Sequence, residues 1–127
     1  MVLADGGSIL SKASIDGIFK PQAIGSSDLQ ELLTDPLRAS LRSTVDMDAG
    51  RVEMALGGPL YMDDIPGKCS AGTLQWAGRP NLFWWIDRVK GVAAATFTPV
   101  ISQADARFEE LTSEFKWRYM QSSLKWV

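Results

Sequence analysis

The stretch Thr73–Phe97, TLQWAGRPNLFWWIDRVKGVAAATF, decides how the rest of the chain must fold. In LFWWID, Leu82, Trp84 and Ile86 point one way and Phe83, Trp85 and Asp87 the other. Apart from the terminal aspartate both faces are large and apolar. Such a strand lies inside a sheet that is covered on both sides. The next run, VAAATFTPV, alternates Val92, Ala94 and Thr96 against Ala93, Ala95 and Phe97, and its small residues let another layer come close. DRVKG between the two has the length and the glycine of a hairpin loop, so they pair antiparallel.

Working outward, TLQWAG reads as a strand preceding LFWWID, and RVEMALGG alternates Val52, Met54 and Leu56 against Arg51, Glu53 and Ala55. A further strand is expected around Tyr61 in GPLYMDDIPGKCSAG. ILSKASIDGIFKPQ predicts a short helix with Ile15, Ile18 and Phe19 on one face, a cap at Ser11 or Ser14, and a stop at Pro21. SSDLQELLTDPLRASLRS spaces Leu29, Leu32, Leu33, Leu37 and Leu41 at helical intervals, with a break or kink at Pro36. SQADARFEELTSEFKWRYMQ is the strongest helix. Ser102 with Asp105 resembles a capping box. Ala104, Phe108, Leu111, Phe115 and Tyr119 form its apolar stripe, leaving Glu109, Glu110 and Lys116 in solvent.

These elements predict an α+β fold: an antiparallel sheet of three to five strands with a C-terminal helix on one face. The chain is one partial domain over 1–127, helical over 1–45, sheet over 51–100, and helical again over 102–120. The second sheet face has no evident cover, unless the leucine-rich segment folds back over it.

Composition excludes several function classes. The chain has no histidine, which removes Ser-His-Asp and Cys-His catalysis and argues against a zinc or iron site. No metal or other cofactor is expected. Cys69 is the only cysteine, so no intrachain disulfide forms and a reducing, cytoplasmic setting is favoured. Net charge is −2 and the thirteen basic residues are scattered, which argues against a nucleic-acid partner. No run approaches the roughly 20 apolar residues of a membrane span, and MVLADGGSIL lacks the basic and apolar regions of a signal peptide.

Three segments carry a resemblance: DGGSILSKASIDGIFKPQ, the LGG at Leu56–Gly58, and PGKCSAGTLQWAGRPNLFWWIDRVKGVAAATFTPV. Together they resemble the C-terminal third of the β-lactamase-like serine hydrolases, in the branch of family VIII-type esterases and fungal lovastatin-type transesterases. The similarity runs from about Ala4 to about Tyr119 and is most specific over Pro66–Pro99. It implies acyl transfer through a serine of a Ser-x-x-Lys motif, with a tyrosine and the lysine as general base and acid. A third motif on a strand edging the pocket is followed by a residue whose backbone N–H stabilises the oxyanion. The resemblance makes Trp76-Ala77-Gly78 that motif and pocket wall, and Arg79 the oxyanion donor. Ala77 stands where the family more often has glycine or serine.

The family's nucleophile and tyrosine motifs lie far upstream of the matched region. The literal Ser-x-x-Lys at Ser122–Lys125 falls past the last helix and is read as a chance match. Tyr61 and Tyr119 are followed by Met-Asp and Met-Gln, so neither opens a Tyr-x-Asn. No residue here is assigned a catalytic role. Asp63-Asp64 reads as a solvated loop, Cys69 as a small loop residue, and the glycines of DAGR and DGG as turns.

The expected function is therefore a truncated or split β-lactamase-like acyltransferase or esterase of natural-product biosynthesis, silent by itself. Its partners would be an N-terminal complementing chain or a second copy, and a small acyl substrate once completed. The alternatives are a non-catalytic accessory or small-ligand-binding protein, and a gene remnant with no function of its own.

Overall fold

A computed structural model describes residues 6–34, 51–78, 81–100 and 105–121. Five strands, β1 (Val52–Ala55), β2 (Gly58–Tyr61), β3 (Leu74–Gly78), β4 (Leu82–Asp87) and β5 (Val92–Phe97), form one sheet in the order β1-β2-β3-β4-β5. Every neighbouring pair is antiparallel. β4 is internal, with Trp84 opposite Trp76 on one side and opposite Ala95 on the other. The β4–β5 hairpin closes where DRVKG predicts, with Gly91 at φ 68° in its loop. Leu56 is not in the alternation expected of it; it sits exposed in the β1–β2 turn.

Three helices are described: α1 (Lys12–Ile18), α2 (Ser27–Thr34) and α3 (Ala106–Gln121). Ser11 caps α1, its Oγ accepting the Ser14 N–H at 3.0 Å. α3 is capped by Asp105, whose Oδ1 accepts the Phe108 N–H at 2.9 Å. The capping role thus belongs to Asp105. Ser102, like Ala104, Pro36, Leu37 and Leu41, lies outside the described residues.

The two sheet faces are closed differently. On the first face Tyr61, Val52, Ile65, Cys69 and Leu29 pack with Met120 of α3, while Phe83, Trp85, Asp87 and Gln75 are buried nearby. On the second face Ala55, Leu60 and Leu74 pack with Ile18 and Phe19 at the end of α1. The second face does have a cover, and it is α1. Leu29 of the leucine-rich segment joins the first face instead. Arg88 in the β4–β5 loop ties α1 down: its Nη1 donates to Asp16 at 3.1 Å and its guanidinium stacks over the Phe19 ring. That cover ends early. Over β4 and β5, Trp84 and Ile86 remain half-buried, Ala93 and Ala95 are exposed, and Phe97 is 78% exposed.

α3 turns a different face inward from the one its hydrophobic periodicity predicts. Thr112, Lys116 and Met120 are buried, whereas Leu111 is 64% exposed and Phe115 is also exposed. Lys116, expected in solvent, is only 9% exposed. Its ammonium donates to Gln75 Oε1 at 2.8 Å and lies 5.6–5.8 Å from the ring centroids of Tyr61, Phe83 and Trp85. A cation over aromatic faces with a fixed acceptor is a favourable buried site, and the long methylene stem adds apolar contact. Phe115 keeps an edge-on contact with Trp85 at 5.9 Å.

Candidate functional site

The site is built on the end of β3. Trp76, Ala77 and Gly78 are half-buried, and each pairs with β4: Trp76 with Trp84, Ala77 with Phe83, Gly78 with Leu82. A three-residue connection of 79–81 follows, its last residue Asn81 at φ 48°, as a three-residue hairpin loop requires. Asn81 is buried, and its Nδ2 donates to the Val100 carbonyl at 2.8 Å, which holds the segment following β5 against the loop. Arg79 lies outside the described residues, so the oxyanion role that the resemblance implies for it has no geometry here.

Trp76 stands beside Trp84 on the second face, where α1 gives out. Gly58, at φ 136°, makes room for its ring: a Cβ there would come within 2.7 Å of Trp76 Cε3 and 2.9 Å of the Gln75 carbonyl. Only glycine combines that backbone conformation with that clearance. Trp84 and Trp85, grouped by sequence as sheet core, divide between the faces: Trp85 is fully buried, and Trp84 is half-buried alongside Trp76.

Beneath this pair, on the first face, Gln75 is clamped from both ends. Its Nε2 donates to Tyr61 Oη at 3.0 Å and its Oε1 accepts from Lys116. The clamp fixes β3 one residue before Trp76. Sequence reading missed all three residues of this network, because each comes from a different element and only their contact makes them a unit.

A second Ser-x-x-Lys, Ser113–Lys116, lies in α3. Its geometry is unsuited to nucleophilic catalysis. Ser113 is exposed in mid-helix, while the Lys116 ammonium is turned inward onto Gln75 and the three rings. A base must reach the proton it removes, and the Lys116 ammonium is directed into the core while the Ser113 side chain is in solvent. Ser122–Lys125 lies outside the described residues. Tyr61 Oη is committed within the core. The carboxylates of Asp63 and Asp64 are exposed and cap loop amides, accepting from Arg51 N–H at 3.0 Å and Ala71 N–H at 2.7 Å. Cys69 is buried and takes part in no disulfide. Among the described residues no group of three or more Cys, Asp and Glu side chains is placed to hold a metal ion, and no helix is long and apolar enough to cross a membrane.

No family model matches the chain. It is 34% identical over 91 residues to a lovastatin esterase of Penicillium rubens, covering 68% of this chain and 22% of that protein. It is 32% identical over 98 residues to acyltransferase calJ of Penicillium decumbens, covering 72% of this chain and 22% of that protein. Unliganded simvastatin synthase LovD from Aspergillus terreus shares the fold, with a TM-score of 0.78 and 22% identity over 95% of this chain and 33% of that one. The chain thus spans between 22% and 33% of the length of these relatives. With two curated relatives above 30% identity, and the fold of LovD shared over 95% of its length, the chain belongs to the β-lactamase-like fungal acyltransferase and esterase family, and spans only part of its relatives' length.

Proposed function

We propose that this chain is the pocket-wall portion of a LovD-type acyltransferase or esterase and is catalytically silent by itself. The observation that carries the reading is the Trp76–Trp84 pair. It is held at the end of β3 on a face finished by α1 near β1 to β3 and left open over β4 and β5. An acyl group would lie against Trp76, and the backbone past Gly78 would present the N–H of Arg79 to the developing oxyanion. Such a donor typically contributes about 3–4 kcal/mol to the transition state. The nucleophilic serine, its lysine and the tyrosine would come from a complementing chain or an upstream segment that supplies the rest of the fold. The natural acyl substrate would be a small fungal metabolite ester, in a cytoplasmic setting that keeps Cys69 reduced.

Hydrolysis of p-nitrophenyl butyrate tests this, with the chain alone and mixed with the complementary portion of a LovD-type relative. Turnover is expected only on mixing, and Trp76→Ala in the mixture should lower it about tenfold or more. Turnover by the chain alone would refute the reading. A second reading, a small-ligand-binding accessory protein, draws on the same half-open tryptophan pair. Quenching of tryptophan emission by a butyrate ester with no turnover in either arm would favour it.

A further inference from the structure

Lys116 is a costly residue for the place it occupies. Burying an ammonium strips its hydration, and a methionine would fill the same space without that loss. What the charge adds is direction. From α3 it touches side chains of three strands at once: Tyr61 of β2, Gln75 of β3, and Phe83 and Trp85 of β4. Across the β3–β4 ladder Gln75 pairs with Trp85 and Ala77 with Phe83, so these contacts bracket Trp76 from the opposite face. On the other side of β3 the backbone grip is weaker. The Tyr61 N–H donates to the Thr73 carbonyl at 3.0 Å, and Leu60 pairs with Leu74. Hydrogen-bonded rungs alternate along an antiparallel pair, so the next falls on Pro59 and Gln75. Proline has no N–H to give the Gln75 carbonyl, and that rung holds at most one of its two bonds. The Gln75 side chain restores a link there, donating to Tyr61 Oη at 3.0 Å.

We propose that Lys116 is a positioning residue for acyl transfer. Through Gln75 it locks the end of β3, and with it the Trp76 ring and the backbone past Gly78, in the place the reacting ester requires. Lys116 itself touches no substrate, since its ammonium lies on the first face and Trp76 on the second. The rate consequence rests on the acyltransfer reading above, whereas the locking of β3 rests on the fold alone. A displacement of about 1 Å in a positioning group can lower a rate by about a hundredfold. A loosened wall still receives the ester, so the loss falls on kcat and leaves KM nearly constant.

Gln75→Met/Lys116→Met replaces both polar partners by apolar groups of similar shape, and should melt close to the unaltered chain. Mixed with the complementary portion of a LovD-type relative, this double variant should hydrolyse p-nitrophenyl butyrate with kcat lowered about tenfold or more and KM changed less than about twofold. Gln75→Glu, which keeps an acceptor for the ammonium, should recover at least about half of the unaltered kcat. In the chain alone, amide exchange at 76–78 should quicken about tenfold in the double variant relative to Glu53 and Met54, and should not do so in Gln75→Glu. If the double substitution abolishes the cooperative melt, Lys116→Met takes its place in both arms. An active mixture whose kcat survives the double substitution overturns the positioning role and leaves the acyltransfer reading standing. An inactive unaltered mixture removes that reading, and exchange then decides: quickening confined to 76–78 supports the lock, and unchanged exchange overturns it.

Discussion

Trp84 and Trp85 are neighbours in one strand and live in different environments. Trp85 is sealed among Phe83, Phe115 and the Lys116 ammonium with no exposed surface. Trp84 lies beside Trp76 on a face that α1 covers for only part of its width. The difference separates finished core from unfinished surface within a single strand. It also shows why an apolar run cannot be assigned to core as a block: period-two alternation sorts residues between faces but says nothing about how completely each face is closed.

The largest expected effect sharpens that contrast. Trp85→Ala should cost about 3–5 kcal/mol in denaturant unfolding, as a large side chain lost from a packed core. Trp84→Ala should cost less than half as much, since its ring is only half removed from water. Equal losses would break the comparison. Next is Lys116→Ala, expected to cost about 2–3 kcal/mol because it deprives Gln75 Oε1 of its ammonium donor under a covered face. A solvated lysine would change stability by no more than about 0.5 kcal/mol. Lys116→Met, which keeps the stem and loses the charge, should fall between them. Ser113→Ala, removing the serine of the same motif, should be neutral in stability and in any complementation assay.

Gly58→Ala follows, at about 1–3 kcal/mol, from a left-handed backbone now strained and a Cβ forced onto the Trp76 ring. A shift in tryptophan emission should accompany the loss and disappear in the Trp76→Phe background. The smallest effect concerns α1. Hydrogen bonds from Lys12 and then Arg88 hold the Asp16 carboxyl below its ordinary range. A depressed carboxyl stabilises the folded state above its unfolded pKa of about 4, and that contribution fades as pH falls through the lower folded value. The pair is exposed, so Asp16→Asn should flatten the acid limb of the Tm profile only slightly.

Much of this architecture was legible. The β4–β5 hairpin announces itself through two apolar faces and the glycine of DRVKG, and Ser11 and Pro21 bracket α1 as their backbone chemistry demands. Periodicity misoriented α3, because a hydrophobic count cannot recognise that Tyr61, Phe83, Trp85 and Gln75 together make a site for a cation. It left α1 unassigned as the second cover, since Ile18 and Phe19 meet Leu60 and Leu74 only across a long loop of sequence. Trp76-Ala77-Gly78 was legible through resemblance alone. Gly58, which gives the Trp76 ring its space from the start of β2, was legible only as part of the LGG that carries the resemblance.

The claim beneath all of this is that the Trp76–Trp84 side is open while the Trp85 side is closed. Acrylamide quenching of single-replacement variants measures it directly. Trp76→Phe and Trp84→Phe should each remove a readily quenched component of the emission, whereas Trp85→Phe should remove a blue-shifted, quencher-resistant one. Equal protection of Trp84 and Trp85 from acrylamide would contradict the account.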